Sequence, residues 1–207
     1  MRWRLLIFSL GLLTAVATLP CRAQDSYQIE TDRLATLLNW KPGSVVGEIG
    51  AGQGQMTLIA AKYVGAAGRV YTTELDPKRL THLEDLAGKE KNITVVKAAE
   101  RDTNLPPGSC DSIFMRLVYH HLTKPADIDA SLFRSLKPGG RLAVIDEEPR
   151  PGSPRVEGVP ENRGGHGMPR KILIEELTSA GFQVVKIQDW QDNNYCVVFR
   201  KHTSNDK

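Results

Sequence analysis

Val45-Val46-Gly47-Glu48-Ile49-Gly50-Ala51-Gly52-Gln53-Gly54 is the stretch that decides the fold. Val45, Val46 and Ile49 suit a buried parallel strand, predicted over residues 44–49. Gly50, Gly52 and Gly54 then remove every Cβ that would hold a ligand away from the backbone. Met56, Ile59, Ala60 and Tyr63 or Val64 recur at three- and four-residue steps, which predicts a helix over 53–64. A strand that turns through glycines into a helix N-terminus presents free N–H groups to whatever binds there. The expected ligand is flat and polar, a nucleoside.

The acid before the turn narrows the choice. Dinucleotide folds use G-x-G-x-x-G and aim the helix N-terminus at a pyrophosphate. Here the order is Glu48-x-Gly50-x-Gly52-x-Gly54, and a carboxylate at 48 repels an anion but favours an ammonium or sulfonium group. A nicotinamide oxidoreductase is disfavoured on the same ground. A second predicted strand, 69–74, ends in Glu74, about 20 residues beyond the last glycine, where doubly wound folds place the carboxylate that binds a ribose diol. Asp76 before Pro77 reads as the N-cap of a helix over 77–86. Further strands are predicted at 93–97, 111–117, 141–146, 182–188 and 195–200, with helices at 31–39, 124–136 and 169–180. Alternation of strands and helices argues for an open parallel sheet covered on both faces.

The E-x-G-x-G-x-G pattern resembles motif I of the class I S-adenosylmethionine-dependent methyltransferases. Leu105-Pro106-Pro107-Gly108-Ser109-Cys110-Asp111-Ser112-Ile113 is similar to that family's entry to its fourth strand, and Leu136-Lys137-Pro138-Gly139-Gly140 to its turn into the fifth. The resemblance covers nearly all of residues 27–200. It implies an α/β, Rossmann-like, doubly wound sheet of seven strands, mostly parallel with an antiparallel C-terminal strand. Only a short polar loop separates the third and fourth strands, so one family helix is expected to be missing. The cofactor implied is S-adenosyl-L-methionine, held by Glu48, Gly50, Ala51, Gly52, Gly54, Glu74 and Leu75, with Glu100 and Arg116 at later strand ends. Glu100 stands in for the family's adenine-binding Asp, unless Arg101 neutralises it at the surface. Arg116 either resembles the arginine of quinone-type C-methyltransferases, holding a substrate carboxylate or enolate, or pairs with Asp146 or Glu147.

The acceptor implied is a small molecule, with Arg116, Tyr119, His120 and His166 as the candidate catalytic side chains and His121 beside them. Adjacent histidines invite a metal, but no third ligand sits at a recognisable spacing. Asp146, Glu147 or Glu148 would supply one, as in metal-dependent O-methyltransferases. Because neighbouring strand residues point to opposite faces, no metal site is assigned.

Residues 148–168 are rich in proline, glycine and both charges, and read either as a lid that brings Arg163 or His166 inward or as an excursion without a catalytic part. The 207 residues, 41% hydrophobic and 25% charged, allow one domain, and a scattered net charge of +3 leaves no nucleic-acid footprint. Residues 1–23 have the basic, apolar and small-residue order of a secretory signal peptide, with the catalytic domain at 24–207. An uncleaved leader would instead tether the protein to a membrane. Export to a periplasm or beyond separates the domain from cytosolic S-adenosylmethionine, which motivates an alternative, a non-catalytic methyltransferase-like binding protein. Cys110 and Cys196 fall on strands that are not neighbours, so two free thiols are expected.

Overall fold

A computed structural model describes residues 21–202. Its sheet is built outward from β1 (Val45–Ile49), which pairs in parallel with β2 (Arg69–Glu74) on one side and β4 (Cys110–Arg116) on the other. Parallel β3 (Ile93–Lys97) extends the sheet beyond β2, and β5 (Leu136–Glu147) extends it beyond β4. The chain then adds β6 (Phe182–Asp189) and β7 (Asn194–Lys201), with β7 inserted antiparallel between β5 and β6. The resulting order, β3-β2-β1-β4-β5-β7-β6, is the expected seven-stranded doubly wound sheet. Connections from β1 run outward in opposite directions, so a crevice opens at the carboxyl ends of β1 and β4.

Both faces are apolar, as a parallel sheet under two helical layers requires. Phe114, Ala143, Ile145, Cys196 and Val198 point to one face, where α1 (Cys21–Leu38) and α2 (Gln55–Val64) cover them with Leu34, Leu38, Met56 and Val64. Ile113, Met115, Leu142, Val144, Val197 and Phe199 point to the other. There α4 (Pro125–Ser135) and α5 (Arg170–Ser179) contribute Ile128, Leu132, Leu173 and Leu177. Asp76 caps α3 (Pro77–Ala87) by accepting the Arg79 N–H at 2.9 Å, as its position before Pro77 predicts. The described chain passes from β3 to β4 without a helix. Cys110 and Cys196 are buried free thiols on strands separated by β5.

Two boundaries depart from the sequence reading. Strand β5 begins at Leu136, which pairs with Cys110; the register then breaks before Arg141 pairs with Ser112. The Pro-Gly-Gly segment is therefore a bulge in the strand, with Gly139 at φ 74°, and not a separate turn. Helix α1 starts at Cys21, ten residues earlier than expected and inside the segment read as a leader. The rest of that leader, residues 1–20, lies outside the described residues. Among the described residues no helix is long and apolar enough to cross a membrane.

The extra turns of α1 carry Glu30, and this residue locks the helix to the sheet. Its buried carboxylate accepts two hydrogen bonds from Arg116 at the end of β4, at 2.9 and 2.8 Å, one from Trp190 at 2.8 Å and one from Gln191 at 2.7 Å. Burial alone would raise the Glu30 carboxyl, but the Arg116, Trp190 and Gln191 hydrogen bonds outweigh it and hold it below its usual range. Removing one partner of such a pair strands the other. Glu30→Ala is expected to cost about 3 kcal/mol in urea unfolding, the low end for a broken buried pair because Arg116 keeps some solvent. An unchanged midpoint would show that α1 is not held by this contact.

Candidate active site

One cavity of about 820 Å³ lies at the carboxyl ends of β1, β2 and β4, within the size range of nucleotide and drug-sized ligand sites. Its floor is the glycine turn. Backbone bonds fix that turn to β2: the Ala51 N–H reaches the Thr73 carbonyl at 3.0 Å and the Gly52 N–H reaches the Glu74 carboxylate at 3.1 Å. The other Glu74 oxygen accepts the Leu75 and Asp76 N–H groups at 2.7 and 3.3 Å.

The three glycines serve different ends. A Cβ on Gly50 would stand 2.6 Å from Val118, so this glycine lets the segment after β4 cross the end of β1. Gly54, at φ 76°, caps α2, and a Cβ there would meet Leu83 and Leu86 of α3 at 2.8 and 2.9 Å. Gly54 is absent from the cavity lining, so its expected contact with the cofactor gives way to helix packing. Gly52, at φ 59°, faces open space and is the position at which a ligand can approach bare backbone.

Glu48, Gly50, Ala51, Gly52, Glu74, Leu75, Glu100 and Arg116 all line this cavity. Two of them are acids on adjacent strands with little access to water, Glu48 at 5% exposure and Glu74 at 7%. Burial pushes the Glu48 carboxyl up to about 8; the Thr57 hydroxyl opposes the rise and the charge of Glu74 adds to it. Both arginines in the lining are already paired, Arg79 with Glu74 at 3.6 Å and Arg116 with Glu30. The cavity thus favours a cation near Glu48 and has no unpaired arginine to offer a pyrophosphate. Glu100 accepts the Thr123 hydroxyl at 2.7 Å, while Arg101 pairs with Asp127 and leaves Glu100 unneutralised. Exposed Leu75 supplies an apolar surface beside Glu74. These features fit S-adenosylmethionine: an acid at the end of β2, a bare backbone approach at Gly52 and a buried carboxyl at Glu48.

The acceptor side departs further from expectation. Of the four candidate catalytic residues, Arg116 alone lines the cavity, and its partner is Glu30, not Asp146 or Glu147. Tyr119 is fully buried in the opposite direction. Its hydroxyl donates to Asp129 at 2.8 Å and approaches Glu176 at 3.0 Å, and burial together with those two charges raises its pKa far above the usual phenol range. His120 turns inward to Asp146, which accepts the His120 backbone N–H at 3.1 Å and contacts ring Nδ1 at 2.7 Å. His166 sits outside the lining, its Nδ1 3.2 Å from Glu147. His121 is the imidazole that faces the cavity.

This rearrangement has a backbone cause. Leu117 leaves β4 at φ 53°, a conformation few non-glycine residues adopt, and the chain then winds into a 3₁₀ turn, Tyr119–His121. Three successive residues on such a turn point in three directions, into the core, under the strand end and over the cavity. Residues 148–168 are pinned against the body and do not reach into the cavity. Arg163 is buried, contacts Met168 and donates to Glu176 at 2.9 Å; the Met168 carbonyl accepts the Tyr195 hydroxyl at 2.6 Å.

The raised Glu48 carboxyl has a consequence for stability. In the ligand-free protein the folded state keeps a proton that the unfolded chain gives up above 4.5. Stability from this group is complete below that value and is lost as pH rises toward 8. Urea midpoints measured across that window are expected to fall for the native protein relative to Glu48→Gln. Parallel pH profiles would contradict the buried, protonated carboxyl.

Residues 47–144 match the family described as Methyltransferase domain. The S-adenosyl-L-methionine-dependent Diels-Alderase iccD of Talaromyces variabilis is 29% identical over 206 residues, covering 91% of this chain and 70% of that protein. The ubiquinone/menaquinone biosynthesis C-methyltransferase UbiE of Ectopseudomonas mendocina is 30% identical over 144 residues, 67% of this chain; the chain spans 56% of its length. The crystal structure of a SAM-dependent methyltransferase from Aquifex aeolicus superposes with a TM-score of 0.69 at 26% identity, over 83% of this chain and 89% of that one. The cavity and these likenesses agree: residues 47–144 match a methyltransferase domain, the sheet is that of S-adenosylmethionine-dependent methyltransferases, and S-adenosylmethionine is the cofactor.

Proposed function

We propose that the protein transfers a methyl group from S-adenosylmethionine to a small-molecule acceptor. The observation that supports this best is the pairing of Glu48 and Glu74 at one cavity whose arginines are already neutralised. The cofactor supplies an activated methyl group, so the protein's work is to position and desolvate an in-line displacement. In this reading the Gly52 N–H region and Glu74 hold the adenosyl half, Leu75 covers the base and Glu100 meets its amino edge. Glu48 faces the cationic methionine half. Arg116, Leu117, Val118 and His121 form the acceptor wall, and Glu30 keeps the Arg116 guanidinium at a fixed place on it. A cavity of about 820 Å³, lined by Tyr27 and Arg116 among others, has the size of a small-molecule site.

The leader pattern at residues 1–23 supports export, periplasmic or secreted, with the domain at 24–207. A relative that carries out cycloaddition under the name of an S-adenosylmethionine-dependent Diels-Alderase supports a second reading, in which the cofactor is bound without being consumed.

Calorimetric titration separates these readings in two steps. S-adenosylmethionine and S-adenosylhomocysteine are expected to bind in the micromolar range and NADH not at all. Glu74→Ala is expected to lose at least about tenfold in affinity, since each unit of 1.4 kcal/mol is a factor of ten and two ribose hydrogen bonds exceed it. Gly52→Ala is expected to fold, at a backbone cost of about 1–2 kcal/mol for its left-handed conformation, yet to bind poorly because the new methyl group occupies the approach. Transfer of a labelled methyl group to pooled small acceptors then supports methyl transfer. Binding without consumption favours the second reading, and absence of adenosyl binding rejects both.

A further inference from the structure

We propose that His120, His121 and His166 form a binding site for a first-row transition metal, of which Zn²⁺ is the simplest probe. One ring nitrogen of each lies within 4.8 Å of the others, and the ring centroids are 4.1, 4.5 and 5.6 Å apart. The sequence offers the adjacent pair but not the third ligand, because 44 residues of chain lie between His121 and His166. The objection that neighbours on a strand diverge does not apply, since His120 and His121 sit on a 3₁₀ turn, their ring centroids 4.1 Å apart and the rings tilted by 42°.

The second observation is an orphan atom. His120 is 3% exposed, its Nδ1 is engaged by Asp146, and its Nε2 is buried without a hydrogen-bond partner. A buried ring nitrogen left unpaired costs free energy unless something occupies it. With Nδ1–H donated to the carboxylate, Nε2 presents its lone pair, the tautomer a metal requires. Glu147 stands in the same relation to His166, with Oε1 3.2 Å from Nδ1. Asp146 and Glu147, two of the three acids that the sequence offers as a third ligand, are in this proposal the carboxylates that orient ligand histidines. Burial, with the neighbouring His120 and His166 rings adding to it, holds His121 below the usual imidazole range.

Three imidazoles suit Zn²⁺, Cu²⁺, Ni²⁺ or Fe²⁺. Metal–nitrogen bonds of about 2.0–2.1 Å in a tetrahedral site put the nitrogens about 3.3 Å apart, so the rings must draw together by up to about 1.5 Å. His121 also lines the cavity, which places the metal at the border of the acceptor wall. Because His166 belongs to the 148–168 segment, a metal here ties that segment to the end of β4.

The test uses the full chain without an affinity tag, stripped by chelator and titrated calorimetrically with Zn²⁺. One ion per chain is expected, with His166→Gln and His121→Gln each weakening it at least about tenfold and Asp146→Asn by about 10–100-fold. Co²⁺ in the same protein is expected to show the visible absorption of a four-coordinate site. Zn²⁺ is also expected to slow tryptic cleavage after exposed Arg155 in the native protein but not in His166→Gln. His166 is partly exposed on a loop, so its variant folds even if the Asp146 variant does not. No stoichiometric ion, or an affinity unchanged in His166→Gln, overturns the proposal and leaves a cluster of histidine rings in tilted and edge contact.

Discussion

Two carboxylates on neighbouring strand ends, turned toward one cavity, with Glu48 left without a cationic partner among the described residues, are the constraint on which the rest of this site depends. Glu48 cannot be moved to water without breaking β1, because its strand is paired on both sides and its side chain is enclosed by Thr57 and α2. Glu74 cannot be moved either, since three backbone N–H groups hold it in place. A cavity whose acids are fixed selects its ligand by charge before it selects by shape. The raised carboxyl of Glu48 is the mark of that selection in the empty protein, because the proton occupies the role that a bound cation would take.

The cavity wall beyond β4 depends on a different device. Leu117 breaks β4 with a left-handed residue, and the 3₁₀ turn that follows distributes Tyr119, His120 and His121 over core, strand end and cavity. Two buried acids receive the inward pair: Asp129 holds the Tyr119 hydroxyl and Asp146 holds His120. Arg163 and Glu176 then bind the 148–168 segment to the same buried polar cluster. The wall is therefore held from behind, with Arg116, Leu117, Val118 and His121 turned to the cavity.

Sequence reading recovered what is local. The β-branched run, the glycine spacing, the Asp-Pro cap and the alternation of elements each arise from contacts a few residues long, and strands β1 to β4 fall within a residue of their predicted limits. Glu48 and Glu74 were legible because strand direction alone sends both to the same sheet edge. What pattern could not supply were contacts over long separations. Arg116 meets Glu30 across 86 residues, from a turn of helix that the polar run before Leu34 does not announce as buried. His166 reaches His120 through a loop without periodicity, and Tyr119 turns inward only because Asp129 and Glu176 arrive from separate helices. Gly54 misled for a related reason: its spacing belongs to a ligand-binding motif, while its environment is the packing of α2 on α3.

The central claim, that the cavity is built for a cationic adenosyl ligand over a buried carboxyl, is tested most directly by counting protons. Binding of S-adenosylmethionine near pH 7 is measured calorimetrically in buffers of different ionisation enthalpy. The account predicts that the native protein releases close to one proton as the ligand's charge replaces the proton on Glu48, and that Glu48→Gln releases none. Binding with no proton release in the native protein would contradict it.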